Sequence, residues 1–107
     1  MHFVDLFSLN VQRGRDHGLE SYNAARISMG LKPYASFDEY FPKDELKARQ
    51  FEVLYGSPDN MDLWVGIISE PSVPGSIFGE LGIEITAMTF KNIRNGDRFW
   101  YEKLYTK

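Results

Sequence analysis

The sequence predicts a mainly α-helical protein. Three observations support this fold class. Several stretches repeat their apolar residues at intervals of three and four, and no stretch sustains the alternation of a half-buried strand. The breaks between these stretches carry Ser, Pro or Gly where helices begin or end. With 107 residues, 43% of them hydrophobic, the chain is long enough for one modest core.

The first third of the chain is predicted to hold one buried segment, one turn region and one helix. Residues 3–11 are mostly apolar and predict a short buried segment, helical or irregular. Gly14 and Gly18 bracket the charged cluster that follows, which predicts a compact turn region. Residues 19–29 have helical spacing, and Gly30 follows as a stop signal.

The middle of the chain carries two helix starts. Ser36 and Glu39 have the spacing of a capping box, in which each side chain bonds the backbone N–H of the other residue. Pro42 allows a further helix over 43–56, with Gly56 at its C-terminal end. The predicted apolar side of this helix consists of Leu46, Arg49, Phe51, Val53 and Leu54.

The remaining segments alternate between loops and apolar stretches. A turn at 57–59 leads into the apolar segment 60–69, which is expected to be buried on most sides. The segment 70–79 has two prolines and two glycines and predicts a surface loop. A helix over 80–94 has two apolar stripes, which predicts burial on more than one side, and 97–105 is a last aromatic-rich helical piece.

Composition excludes several kinds of partner and site. A net charge of −3 argues against nucleic-acid binding. The absence of Cys excludes disulfides and Cys-ligated metals, and two His residues do not make a His-rich metal site. No apolar run approaches the length of a transmembrane segment, and the first residues do not resemble a signal peptide. An aromatic content of 15% predicts a dense core or surfaces that further protein covers.

The charged cluster in the first third is the strongest candidate for a functional site. Asn10 and Arg13 are three residues apart, so they share a face if the backbone is helical. An amide beside a guanidinium orients a polar ligand group and neutralises a carboxylate. The structural alternative is that Arg13, Arg15, Asp16 and His17 tie neighbouring loops together through ion pairs. Spacing alone leaves both interpretations open.

Other candidate residues have simpler explanations. Asp59 and Asp62 suggest a cation site, but a turn followed by a helix N-cap accounts for both. His17 lies beside Asp16, where a carboxylate-oriented imidazole is possible, although a turn residue is the simpler interpretation. His2 lies near the terminus, and no role is assigned to it.

Three motifs give the chain a family resemblance. They are LNVQRGRDHG with YN shortly after it, LYGSPDNMDLWVG, and FKNIRNGDRFWYE. In this order and at these spacings they resemble the animal-type haem peroxidases, which include myeloperoxidase-like and peroxidasin-like enzymes. The resemblance runs from about Asp5 to Leu104 and corresponds to the C-terminal part of the family's catalytic domain.

The resemblance implies a secreted haem b enzyme that uses hydrogen peroxide to oxidise halides or small organic donors, with a role in the response to oxidative stress. In the family, the Asn of the LNxQR motif accepts a hydrogen bond from the iron-ligating His, and Asn10 matches it. The Arg of the same motif pairs with a haem propionate, and Arg13 matches it. Arg15, Asp16 and His17 then form the structural part of the cluster.

The resemblance also implies that the reacting groups lie elsewhere. The family's iron ligand and its distal His and Arg are upstream of the matched region, and neither His2 nor His17 aligns with the iron ligand. The expectation is that residues 1–107 are the C-terminal segment of a peroxidase domain, partnered by its upstream part, with no catalytic or metal-ligating residue and little activity in isolation. The alternative is a non-catalytic helical module that keeps this scaffold as an interaction surface.

Overall fold

A computed structural model describes the backbone of residues 4–105 and the side chains of residues 4–103, and His2 lies outside this range. The prediction of a mainly α fold is confirmed. In the described residues the β pairing consists of one isolated bridge between Ser21 and Asp62. The helices are α1 (Leu6–Asp16), α2 (Tyr22–Ser28), α3 (Phe37–Tyr40), α4 (Glu45–Tyr55), α5 (Leu63–Ser69), α6 (Glu80–Gly96) and α7 (Tyr101–Tyr105), with a 3-10 helix at Pro58–Asn60.

The core lies between helices α2, α3, α4 and α5 and the first turn of α6. The rings of Tyr22 and Tyr40 pack edge to face with centroids 5.4 Å apart. The Tyr40 hydroxyl donates to the carbonyl of Gly66 at 2.6 Å, so this buried hydroxyl is satisfied. The buried apolar residues are Tyr22, Ala25, Phe37, Tyr40, Phe41, Ala48, Met61, Val65 and Leu81.

Local capping chemistry places several helix ends where the sequence predicts them. Ser36 caps α3 by accepting the N–H of Glu39 at 3.3 Å, but the Glu39 carboxylate accepts the N–H of Ala35 instead of completing the capping box. Gly56 ends α4 with φ at +73°, as predicted. Helix α2 begins at Tyr22 and not at residue 19, because the Ser21 side chain caps it.

The prediction for the first segment is wrong in two respects. Helix α1 runs without interruption through Gly14, so Arg13, Arg15 and Asp16 belong to a helix, and only His17, the C-cap residue, lies in a turn. The helix contains no buried residue, and residues 4–9 are exposed. Its end is set by Gly18, at φ +64°, and by the N–H of His17, which donates to the carbonyl of Arg13 at 3.0 Å. A glycine inside a helix weakens it without breaking it.

The predicted apolar side of α4 is confirmed for Phe51 and wrong for its three aliphatic residues. Leu46, Val53 and Leu54 are exposed, with Val53 87% accessible. This helix has apolar residues on two sides. The side that packs on the core is the one that carries the small residue Ala48. The side that packs on the core consists of Ala48, Phe51 and Tyr55.

The last helices leave the core. Leu81 and Gly82, in the first turn of α6, are buried, but Phe90 is 70% exposed, so the predicted burial on more than one side is not met within residues 4–103. In α5, Val65 and Gly66 are buried while Trp64 remains partly exposed.

Among residues 4–105, no helix combines the length and apolar character needed to span a bilayer.

The chain is more extended than a compact domain of its size. Its radius of gyration is 17.2 Å, whereas ~13 Å is expected for a compact chain of this length. Its accessible surface is 8195 Å², compared with roughly 6,100 Å² for a folded monomer of this mass. Exposed apolar side chains on α1 and α6 contribute to the difference. Such surfaces are typical of segments that pack against further protein.

Candidate functional site

Asn10 and Arg13 lie on one face of α1, as their spacing predicts. Asn10 is half-buried and Arg13 is exposed. Both border a hollow of about 350 Å³ that is open to solvent. The hollow is also lined by Gly14, His17, Leu19 and Trp64. A carboxamide, a guanidinium and apolar side chains therefore meet at one concave surface.

Neither of the two polar groups is paired within the part of the chain that the structure describes. Within residues 4–103, the Asn10 carboxamide makes no hydrogen bond and the Arg13 guanidinium makes no ion pair. A guanidinium has five N–H donors and stays charged at any ordinary pH, and a carboxamide can both donate and accept. The pair can therefore receive a ligand that presents an anionic group and a hydrogen-bond donor.

Arg15 has a different role from Arg13. Its Nε donates to Oδ1 of Asp62 at 2.9 Å, and its Nη2 donates to Oδ2 at 2.7 Å. The Tyr55 hydroxyl donates to the same Oδ2 at 3.1 Å. Burial, together with this bond to Asp62, raises the pKa of Tyr55 to about 12. Ion pairing thus accounts for Arg15, which joins α1 to α5, but not for Arg13.

Acid is expected to weaken the contact between α1 and α5. The hydrogen bond from Arg15 lowers the pKa of Asp62 below the 3.8 of an unperturbed aspartate. Above pH 3.8 the Arg15–Asp62 contact therefore contributes its full amount to the stability of the fold. This contribution is lost as the pH falls through the lowered pKa of Asp62. In urea unfolding, the stability difference between wild type and Asp62→Asn should be largest near neutral pH and vanish in strong acid. A difference that does not change with pH would mean that the charge of Asp62 is irrelevant.

The two aspartates considered for a cation site serve the packing. Asp62 occupies the N-cap position of α5, but its side chain makes no capping hydrogen bond, so the N-cap explanation is wrong for its carboxylate. Asp59 accepts from Nδ2 of Asn23 at 2.6 Å. The Asn23 side chain also makes two hydrogen bonds with the backbone of Tyr34. It donates to the carbonyl at 2.8 Å and accepts the N–H at 3.0 Å. Among the described residues, no group of three or more potential ligands could hold a metal ion.

Sequence reasoning missed a buried polar hub centred on Glu70. Its side chain is 1% exposed and accepts the Tyr22 hydroxyl at 2.5 Å. It also accepts the backbone N–H groups of Leu81 at 3.1 Å and Gly82 at 3.3 Å, at the start of α6. Nη1 of Arg26 approaches the same carboxylate at 3.5 Å. A carboxylate at a helix N-terminus is favoured by the helix dipole.

Arg26 extends this hub to the connector after α2. Its Nη2 pairs with Glu80 at 2.5 Å, and its Nε donates to the carbonyl of Lys32 at 2.7 Å. Its guanidinium lies 4.5 Å from the centroid of the Tyr34 ring. Nothing in the local sequence predicts this arrangement, because Glu70 stands at the edge of a segment rich in Pro and Gly, and its partners are distant in the chain.

Comparisons with known proteins place the chain among peroxidases. The family model of animal haem peroxidase matches residues 1–107. Human eosinophil peroxidase is 44% identical over 109 residues, which cover 97% of this chain and 15% of that protein. A peroxidasin homologue of Caenorhabditis elegans is 41% identical over 102 residues, or 94% of this chain and 8% of that protein.

A solved structure gives the same result for the fold. Peroxidase A from Dictyostelium discoideum superimposes with a TM-score of 0.84 at 36% identity, covering 92% of this chain and 19% of that chain. The chain therefore spans less than a fifth of the length of these relatives.

Proposed function

The chain belongs to the animal haem peroxidase family, and on that premise we propose that residues 1–107 form one wall of the haem pocket in a peroxidase domain. The domain uses hydrogen peroxide to oxidise halides or small organic donors and acts, like the family, outside the cell. Its upstream part supplies the iron ligand and the groups that react with peroxide. This segment contributes residues that bind haem and orient its iron-ligating imidazole.

The residues of the hollow fit haem b. The guanidinium of Arg13, which has no partner among residues 4–103, is suited to a propionate carboxylate. The oxygen of the Asn10 carboxamide is suited to the N–H of an iron-ligating imidazole. Leu19 and Trp64 line the same hollow with apolar surface. Haem, when bound, supplies the redox-active iron. Asn10 fixes the tautomer of the imidazole, and Arg13 neutralises the propionate.

The observation that carries this proposal is the contrast between two arginines of one helix. Arg15 is fully engaged by Asp62. Arg13, two residues away, has no partner within residues 4–103 and lies with Asn10 at the edge of the hollow. The structural role of ion pairing, which Arg15 performs, is therefore not performed by Arg13 within the described residues.

The role of Arg13 is tested by titrating the purified chain with haemin and following the Soret band. We expect saturable binding that Arg13→Ala weakens by about tenfold, the equivalent of one charge-assisted contact. Arg49→Ala is the matched control, because Arg49 is also an exposed arginine but pairs with Asp38 and Glu52 on α3 and α4. Equal affinity in wild type and Arg13→Ala would contradict the proposed role.

The role of Asn10 requires an imidazole, which can be added in solution as the iron ligand. Asn10→Ala should leave haemin affinity unchanged, within about twofold, but weaken the binding of imidazole to the haemin complex, because the carboxamide no longer accepts its N–H. An imidazole affinity that is insensitive to Asn10→Ala would contradict this role.

Turnover distinguishes the proposal from its alternatives. The haemin complex should oxidise a dye with peroxide no faster than free haemin, since this segment holds none of the reacting groups. Turnover well above free haemin would mean that a residue of this chain ligates iron, and His17 would be the first to replace. Monomeric, cooperative folding without any haemin binding would instead favour the non-catalytic interaction module.

A further inference from the structure

Helix α1 is not oriented by a buried apolar stripe. Leu6, Phe7 and Leu9 are exposed, and no residue of the helix is buried. Val11 is half-buried and packs against the core cluster. Surface helices are ordinarily oriented by a broad apolar face. The rotation of α1 about its own axis therefore depends on the packing of Val11 and on polar contacts rather than on a broad buried face.

One such contact has the required geometry. The two hydrogen bonds from Arg15 to Asp62 are nearly equal in length, at 2.9 and 2.7 Å, and join two planar groups. A bidentate contact of this kind restricts direction as well as distance. The Tyr55 hydroxyl holds the carboxylate from a third side at 3.1 Å. We refer to these three residues, Arg15, Asp62 and Tyr55, as the Arg15 clamp.

The clamp is anchored beside the buried core. Asp62 directly follows Met61, which is fully buried, and the carbonyl of Met61 accepts the N–H of Tyr22 at 2.9 Å. Asp62 also forms the β-bridge with Ser21, immediately before α2. Its side chain is 15% exposed, compared with 65% for that of Arg15. The carboxylate is thus a fixed point, and the arginine is the part of α1 that it holds.

The clamp lies close to the two site residues on the same helix. Arg15 is two residues from Arg13 and five from Asn10, which places all three within ~8 Å along the helix axis. Any rotation of α1 moves both site side chains together. We propose that the Arg15 clamp sets this rotation and thereby directs the Asn10 carboxamide and the Arg13 guanidinium at the haem. Arg15 and Asp62 are positioning residues, and this inference rests on the proposed function.

The first test uses hydrogen exchange of the 107-residue chain, which does not depend on haem. Asp62→Asn and Arg15→Lys each abolish the bidentate contact, so the amides of α1 should exchange several-fold faster while those of α2 and α5 stay protected. Arg49→Lys is the control, since it disturbs an exposed ion pair on α4 and should leave α1 unchanged. Unchanged exchange of α1 in Asp62→Asn overturns the inference.

The second test separates positioning from general stabilisation. Asp62→Asn should weaken haemin binding several-fold in the wild-type background but by less than about twofold in the Arg13→Ala background, because a misdirected Arg13 and an absent Arg13 are equivalent. Equal losses in both backgrounds overturn the inference.

The two tests also distinguish the inference from the proposed function. If Arg13→Ala alone leaves haemin affinity unchanged, the proposed function fails and the claim that the clamp directs Arg13 fails with it. Hydrogen exchange would then still decide whether the clamp holds α1.

Discussion

Gly66→Ala is expected to destabilise the chain by about 3 kcal/mol or more, which is at the upper end for overpacking in a core. A Cβ at this position would lie 2.2 Å from Cδ2 and 2.8 Å from Cβ of Tyr22. Tyr22 has no room to move, because its side chain is fully buried and its hydroxyl is bonded to Glu70. The backbone of α5 must therefore shift away from α2. Urea unfolding followed by far-UV circular dichroism measures the loss.

Gly96→Ala is the matched control for this substitution. Gly96 is also helical, and a Cβ there would meet nothing within 4 Å. Its replacement should be neutral or stabilising by up to ~1 kcal/mol through helix propensity. If Gly66→Ala were as stable as Gly96→Ala, the close packing of α2 on α5 would be contradicted.

Glu70→Ala is expected to cost about 3–5 kcal/mol, the loss typical of removing one partner from a buried charge pair. The substitution leaves the Tyr22 hydroxyl and the first amides of α6 without their acceptor. It also removes one of the two carboxylates that face Arg26. Because Glu70 connects α2, α5 and α6, the effect should include faster hydrogen exchange at the start of α6.

Glu80→Ala provides the comparison for Glu70→Ala. Glu80 pairs with the same arginine, but its side chain is 53% exposed, so its removal should cost less than ~1 kcal/mol. A larger loss for Glu80→Ala than for Glu70→Ala would show that the exposed pair, and not the buried hub, holds α6 on the core.

Local signals predicted much of the secondary structure. The end of α4 at Gly56 and the start of α3 after Ser36 follow from backbone preference and capping within a few residues. The helix predicted over 80–94 is observed as α6. It was predictable because its apolar spacing continues over four turns. These features depend on contacts within one turn of a helix, which sequence patterns report directly.

Burial was harder to predict than helix position. In α4 the apolar residues occupy two sides, and only the shape of the neighbouring core selects Ala48 and Phe51 over Leu46 and Val53. The extended shape explains why the outer part of α6 remains exposed despite its apolar pattern. Patterns report that a face is apolar, but they do not report what covers it.

In the candidate site, too, local features were predictable from the sequence and long-range contacts were not. The spacing of Asn10 and Arg13 predicted a shared face, and the helical backbone of α1 confirms it. The different roles of Arg13 and Arg15 were not predictable from spacing, because the partner of Arg15 is Asp62, 47 residues away in the chain. Glu70 was missed for the same reason, since its donors come from α2 and α6.

The central claim, that the Asn10 and Arg13 face of α1 binds haem, is tested most directly by side-chain NMR. Gallium protoporphyrin, a diamagnetic analogue of haemin, is added to the chain labelled with ¹⁵N, and its ring current shifts the signals of nearby groups. We predict that the largest shifts occur at the Asn10 carboxamide and the Arg13 Nε–H, with none at Arg49. Shifts confined to the exposed aromatic residues Phe99 and Tyr101 would contradict the claim, because the porphyrin would then bind elsewhere.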